Sequence, residues 1–143
     1  MKRHPFVLVS VAALLAIPGL LLAQQGAVES ASQNGTVEVL EVAICTDVIE
    51  REPQEVGETM SASLENVFCW TKIKNEGEPT TITHVWYFNG TKMAEVELNV
   101  GASLGWRTWS SKQLWKGWVG EWKVVIEDAN GTPIKDISFT TTD

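Results

Sequence analysis

TTITHVWYFNGTKMAEVELNV, Thr80 to Val100, is the stretch that decides the fold. At its centre stands Asn89-Gly90, a pair that reaches the positive φ of a tight hairpin turn at little steric cost. After it the chain alternates. Ala94, Val96, Leu98 and Val100 fall on one face, and Glu95, Glu97 and Asn99 on the other. That period of two belongs to a strand with one face buried. Before the turn, Thr80 to Phe88 is rich in β-branched and aromatic residues, which suit a pleated surface. Two strands alone cannot bury an apolar face, so more must pack against them.

The rest of the chain supplies them. Val37 to Val48 reads as a strand, and Glu50 to Ser63, acidic and broken by Pro53 and Gly57, as a long loop. Leu64 to Lys74 is a strand, followed by a turn at Asn75 to Pro79. Trp106 to Ser111 is a short strand. Gly120 to Glu127 is another, with Trp122, Val124 and Ile126 on one face. Asp128 to Gly131 turns the chain into a last strand, Ile134 to Thr141. No segment carries the period of an amphipathic helix. The expected fold is all-β, a single antiparallel β-sandwich of about seven strands, immunoglobulin-like in architecture. The Cys-Trp-Cys order of an antibody domain is absent.

The first residues are a targeting segment. Lys2 and Arg3 precede an uncharged apolar run from Phe6 to Ala23, interrupted by Pro18-Gly19 and ending in a small residue before Gln24. This is the layout of a secretory signal peptide, residues 1–23. A retained membrane anchor is the rival reading, since the run is about long enough to span a bilayer. Residues 24–35 are small and polar and read as a flexible leader, and the sandwich then occupies residues 36–143. The expected location is periplasmic or secreted, with no membrane contact once the signal peptide is cut. Of the 11 Lys and Arg, Lys2 and Arg3 leave with the signal, so 18 acids face nine bases in the exported chain. Such an excess of acid repels phosphate backbones and argues against a nucleic-acid partner. Asn-Gly-Thr at Asn34, Asn89 and Asn130 fits a glycosylation acceptor, but Asn-Gly is first a turn former.

Cys45 and Cys69 form an even pair in an exported chain, and the expectation is a disulfide between them. The alternative is two buried free thiols on adjacent strands. One remaining histidine and two cysteines make no metal site, and no cofactor is expected. Gly101-Ala-Ser103-Leu-Gly105 fits the nucleophile pattern of serine hydrolases, but that turn needs a strand-to-helix junction this chain lacks. Glu95 and Glu97 on one outward face read as solvated carboxylates. The chain is not expected to be an enzyme.

Seven tryptophans remain to be placed, five of them between Trp106 and Trp122. Trp122 is core by parity, and Trp70, on a face with Phe68, is expected between the sheets. Trp106 and Trp109 have opposite parity, so both cannot face inward. A buried Trp removes on the order of 200 Å² from water, and the interior of a small sandwich is too thin for seven. Trp109, Trp115 and Trp118 are therefore the expected exposed minority. With Arg107 and Lys112 they form a candidate ligand-binding patch, to which His84 is added as a polar group of undecided face. A two-residue turn pairs His84 with Glu95, outward. A three-residue turn pairs it with Ala94, inward, and buries more apolar surface.

Arg51-Glu-Pro53, His84-Val-Trp86-Tyr87 with Asn89-Gly90, Trp106-Arg-Thr-Trp109-Ser-Ser-Lys112, Gly120-Glu-Trp122-Lys-Val124 and Asp128-Ala-Asn-Gly131 are the residues that carry a family resemblance. From Arg51 onward the chain resembles this bacterial family, domain of unknown function 2914. The resemblance implies an exported or membrane-anchored protein and no established activity. The expected function is an exported, non-catalytic binding module of the bacterial cell envelope. Its partner would be a glycan or a protein, met through the Trp/Arg patch. The alternative is a structural or assembly module that docks to another envelope protein through an open sheet edge.

Overall fold

The computed structural model describes residues 37–143. The expected signal peptide and leader lie outside the described residues, as does Asn34. Among the described residues no helix is long and apolar enough to cross a membrane.

Ten strands follow one another: β1 (Val37–Cys45), β2 (Asp47–Ile49), β3 (Glu52–Gln54), β4 (Thr59–Ser61), β5 (Asn66–Asn75), β6 (Thr80–Phe88), β7 (Thr91–Val100), β8 (Ser103–Gln113), β9 (Gly120–Glu127) and β10 (Pro133–Thr142). They build a three-stranded sheet ordered β1-β5-β8, a five-stranded sheet ordered β4-β10-β9-β6-β7, and a separate hairpin of β2 and β3. The fold is all-β, as expected, but with ten strands where the sequence suggests about seven. The extra ones come from the supposed loop Glu50 to Ser63, which contains β3 and β4, and from the splitting of the first strand after Cys45. The sheet is not wholly antiparallel either, because β4 pairs with β10 in parallel, Met60 opposite Thr141.

The sheets bury their facing sides against each other. Ile44, Val67 and Cys69 of the smaller sheet meet Trp86, Trp122, Val124 and Phe139 of the larger. Further along, Ile73 meets Ile82, Val100 and Ile126. Trp122, Val124 and Ile126 are all buried, as their alternation predicts. Trp122 sits in an aromatic cluster, 6.4 Å from Trp86, 5.7 Å from Phe139 and 4.7 Å from Phe88 between ring centres. Its indole N–H donates to Thr141 Oγ1 at 3.1 Å.

The Thr80–Val100 hairpin resolves the His84 question by a third route. Phe88 pairs with Thr91 and Tyr87 with Lys92, so the turn has two residues. Asn89 and Gly90 both take positive φ, 46° and 85°, as such a turn requires. The register then slips by one, and Trp86 faces Ala94 while His84 faces Val96. The slip is a bulge at Met93. It turns His84 into the core with Ile82 and Trp86, the same face that the three-residue turn would have given.

Two other expectations fail on register. Ile44 lies opposite Cys69, and Cys45 opposite Phe68. Directly opposed residues share a face, so the two thiols project to opposite faces of one sheet. Cys45 and Cys69 are both buried and free. Burial pushes the Cys69 thiol pKa upward, and the neighbouring Cys45 adds to it. The same parity puts Trp70 with Cys45 on the outer face of the smaller sheet, not between the sheets. It is nevertheless only 2% exposed.

Candidate functional site

What hides Trp70 and Cys45 is the β2–β3 hairpin, folded over the outer face of the smaller sheet. Its turn is Glu50-Arg51, between the opposed residues Ile49 and Glu52. Both turn residues are left-handed, with φ of 52° and 69°. This conformation is natural for Asn-Gly and costs a side-chain-bearing residue roughly 1–2 kcal/mol. Contacts beneath the hairpin hold it. The Trp70 indole N–H donates to the Arg51 carbonyl at 2.9 Å, and Arg107 Nη2 pairs with Glu52 Oε1 at 3.0 Å. Thr46 Oγ1 donates to Glu55 Oε2 at 2.8 Å just beyond β3.

Arg107 and Trp109 project from the outer face of β8, opposite Lys72 and Trp70 of β5. They share a face, as the two-residue spacing predicts, and both are half-buried. Arg107 Nε is buried and has no hydrogen-bond partner among the described residues. Beside Arg107 lies an open cleft of about 290 Å³ lined by Arg51, Ala102, Ser103, Gly105, Trp106 and Arg107. Ser103 belongs to the serine-hydrolase-like pattern. Here that pattern spans the β7–β8 connection, and Ser103 Oγ accepts from the Gly105 N–H at 3.0 Å.

The other proposed site residues are elsewhere. Lys112 and Trp118 meet at the end of the sandwich, Lys112 Nζ 5.4 Å from the ring centre. Trp118 stacks on Phe88 at 5.8 Å and tilts against Trp122 at 6.1 Å, so it caps the core. Trp115 stands in the same connection, 55% exposed. Among the seven tryptophans, Trp70, Trp86 and Trp122 are buried, and Trp106, Trp109, Trp115 and Trp118 are partly or largely open. Trp109, Trp115 and Trp118, the expected exposed residues, are all among these four, but Trp106 joins them and makes the open tryptophans the majority; the expected three divide between a sheet face and a sandwich end.

His84 belongs to neither. It lies buried between the sheets in a chain of hydrogen bonds whose directions follow from proton counting. The Thr71 hydroxyl spends its one proton on the Thr108 carbonyl at 2.8 Å. It must therefore accept from His84 Nε2, 3.3 Å away. His84 Nδ1 is then the acceptor and takes the Ser110 hydroxyl proton at 2.7 Å. Ser110 Oγ in turn accepts from the Trp86 indole at 3.1 Å. Every polar atom is satisfied only while the imidazole is neutral. Desolvation works in the same direction and lowers its pKa to about 4. This is a structural cross-link between sheets, not a surface ligand group. Among the described residues no three His, Cys, Asp or Glu side chains converge as a metal site would require.

A comparison with known families fits this layout. Residues 79–141 match DUF2914, a family of proteins of unknown function. The DUF2914 segment runs from β6 almost to the end of β10. It bears out the family resemblance seen in the His84-Val-Trp86-Tyr87 and Trp106-to-Lys112 motifs. It supplies His84, Arg107, Trp109, Lys112, Trp115 and Trp118. The hairpin that covers Trp70 lies outside it, as does Arg51-Glu-Pro53. No curated protein matches the chain.

The sequence missed Arg51, Glu52 and Trp70 as members of one assembly. Nothing in Glu-Arg signals a tight turn, so the hairpin was not visible.

Proposed function

We infer that this chain is an exported, non-catalytic module of the bacterial cell envelope that binds a glycan through the outer face of its smaller sheet. The observation that carries the reading is the adjacency of Arg107 and Trp109 on that face, both half-open to solvent. An indole offers a flat apolar surface to the C–H face of a sugar ring, and a guanidinium fixes its orientation. Stability alone accounts poorly for the pair. The Arg107–Glu52 bridge is about half-exposed, and such bridges contribute roughly 0–1 kcal/mol. Export is supported by the layout of residues 1–23.

The test is a tryptophan-fluorescence titration of the exported chain with chitotetraose and with a peptidoglycan disaccharide-peptide. A saturable change that disappears in the folded double variant Arg107→Ala/Trp109→Ala is the expected result. Global unfolding of that variant would make the pair architectural instead.

A second reading is favoured by β8 itself. It is eleven residues long and, among the described residues, pairs only with β5. An open edge of that length suits strand addition from another envelope protein. Copurification of a protein partner, with no response to either sugar, would favour this assembly role.

A further inference from the structure

We propose that the cleft between Arg51 and Arg107 is an anion site that takes a carboxylate of an acidic glycan, and that Glu52 occupies the same guanidinium until the ligand displaces it. The proposal rests on the glycan reading above and adds the charge of the ligand.

The first observation is the lining. Two arginines and Ser103 border the cleft, and no acidic residue does. In a chain with a formal net charge of −7, an acid-free cleft with two cations is unexpected by composition. A third cation stands close by. Lys72 faces Arg107 across the strands, and its side chain runs past Gly105, where an added Cβ would come within 3.0 Å of Lys72 Cε. The missing side chain at Gly105 thus leaves room for the Lys72 side chain to lie against this residue of the cleft lining. Among the described residues neither Arg51 nor Lys72 forms an ion pair.

The second observation is the state of Arg107. Among the described residues its guanidinium makes one ion pair, through Nη2 to Glu52, and its buried Nε has no partner. A guanidinium presents a planar fork that binds a carboxylate through two parallel N–H donors. Glu52 is a carboxylate held on a separate hairpin, and it leaves part of that fork unused. An incoming carboxylate that also reaches Arg51 makes more charged contacts than Glu52 does.

The third observation is position. The cleft borders Arg107, and Trp109 lies two residues further along the same strand face. A sugar ring stacked on the indole can direct a carboxyl substituent toward the cleft.

The experiment compares two ligands on the full exported chain by tryptophan fluorescence. One is a peptidoglycan disaccharide-tetrapeptide, which carries carboxylates. The other is chitotetraose, which has related rings and no acid. The acidic ligand is expected to bind roughly tenfold more tightly. Glu52→Gln, which removes the internal competitor, should tighten the acidic ligand several-fold and leave chitotetraose unchanged. Arg51→Gly, which keeps the left-handed turn and removes the cation, should abolish the preference. Equal binding of both ligands by the wild-type chain would overturn the anion site and leave the glycan reading standing. Binding of neither would overturn both. An acid preference that persists in Arg51→Gly and is unmoved by Glu52→Gln would place the anion elsewhere and overturn the proposal.

Discussion

Trp122 and Trp70 are almost equally hidden, 1% and 2% exposed, yet the molecule hides them by different means. Trp122 lies between two sheets, enclosed by Trp86, Phe88, Trp118 and Phe139 from two strands and a connection. To uncover it the sheets must part. Trp70 lies on an outer face beneath two three-residue strands joined by a strained turn. To uncover it only that hairpin need lift. Fractional exposure does not tell the two apart. The number and size of the elements that must move does, and it decides which buried residue can take part in function without unfolding.

The largest expected effect separates them directly. Trp122→Ala should cost about 3–5 kcal/mol, the usual range for a large aromatic lost from a closed core. Trp70→Ala should cost less than about 3 kcal/mol, because the hairpin above it can settle into the vacated space and the depth of collapse sets the cost. Urea unfolding of the two variants checks this. Equal losses would mean that the hairpin is as much a part of the core as β9.

The inner face also carries a pH dependence. His84 has a folded-state pKa near 4, below the value of about 6.5 for an unfolded chain. Below pH 6.5 the unfolded chain gains a proton that the native state refuses until about pH 4. Stability from this group is therefore full above pH 6.5, falls through that window and levels off below it. The expected loss between pH 7 and pH 5 is about 2 kcal/mol. It should be missing from the pH profile of His84→Gln, whatever that variant's absolute stability. A wild-type profile parallel to that of the variant would show that the proton count in the His84–Ser110–Thr71 network is wrong.

The cysteines report the same contrast at the level of local opening. Cys69 faces the core beside Ile44 and Val67. Cys45 faces outward, with the Gln54 and Asp47 backbone N–H groups near its sulfur and burial raising its pKa. A thiol reagent in native buffer at pH 8 should modify Cys45 at a rate set by hairpin lifting. Cys69 should react only at the rate of global unfolding. Mass mapping of single-labelled protein gives the order. Simultaneous modification would show that hairpin and sandwich open together.

Particular residues show what was legible in the sequence. The Asn89-Gly90 turn and the alternation after it are local chemistry, and both stand as read. So does Trp122, because its strand is regular. His84 depended on a bulge at Met93, and a bulge leaves no mark in the residue types around it. The disulfide expectation failed because pairing Ile44 with Cys69 is a long-range choice of register, and one residue of slip reverses a face. The candidate patch was half legible: Arg107 and Trp109 share a face by spacing alone. What pairs with Arg107 and covers Trp70 comes from a segment whose acidic, proline-broken composition reads as loop, with a turn built from residues that do not favour one.

That turn gives the smallest and sharpest test. Glu50 and Arg51 hold φ values of 52° and 69° that glycine adopts without steric penalty. Arg51→Gly removes the Cβ conflict and leaves the Arg51 carbonyl free to accept the Trp70 indole as before. The glycine also makes the unfolded chain more flexible, which offsets part of the gain. The net should be about 1 kcal/mol in favour of the closed hairpin, or roughly fivefold slower labelling of Cys45. Global stability by urea should rise by no more than that, and Cys69 labelling should slow to the same small extent or not at all. A Cys45 rate that is unchanged, while the crystal structure of the variant keeps the hairpin in place, would mean that opening is limited by the Glu52–Arg107 and Trp70–Arg51 contacts. The strain in the turn would then have no part in it. A faster rate would mean that the Arg51 side chain itself helps to hold the hairpin down, and the outer face would be latched by charge rather than poised by backbone conformation.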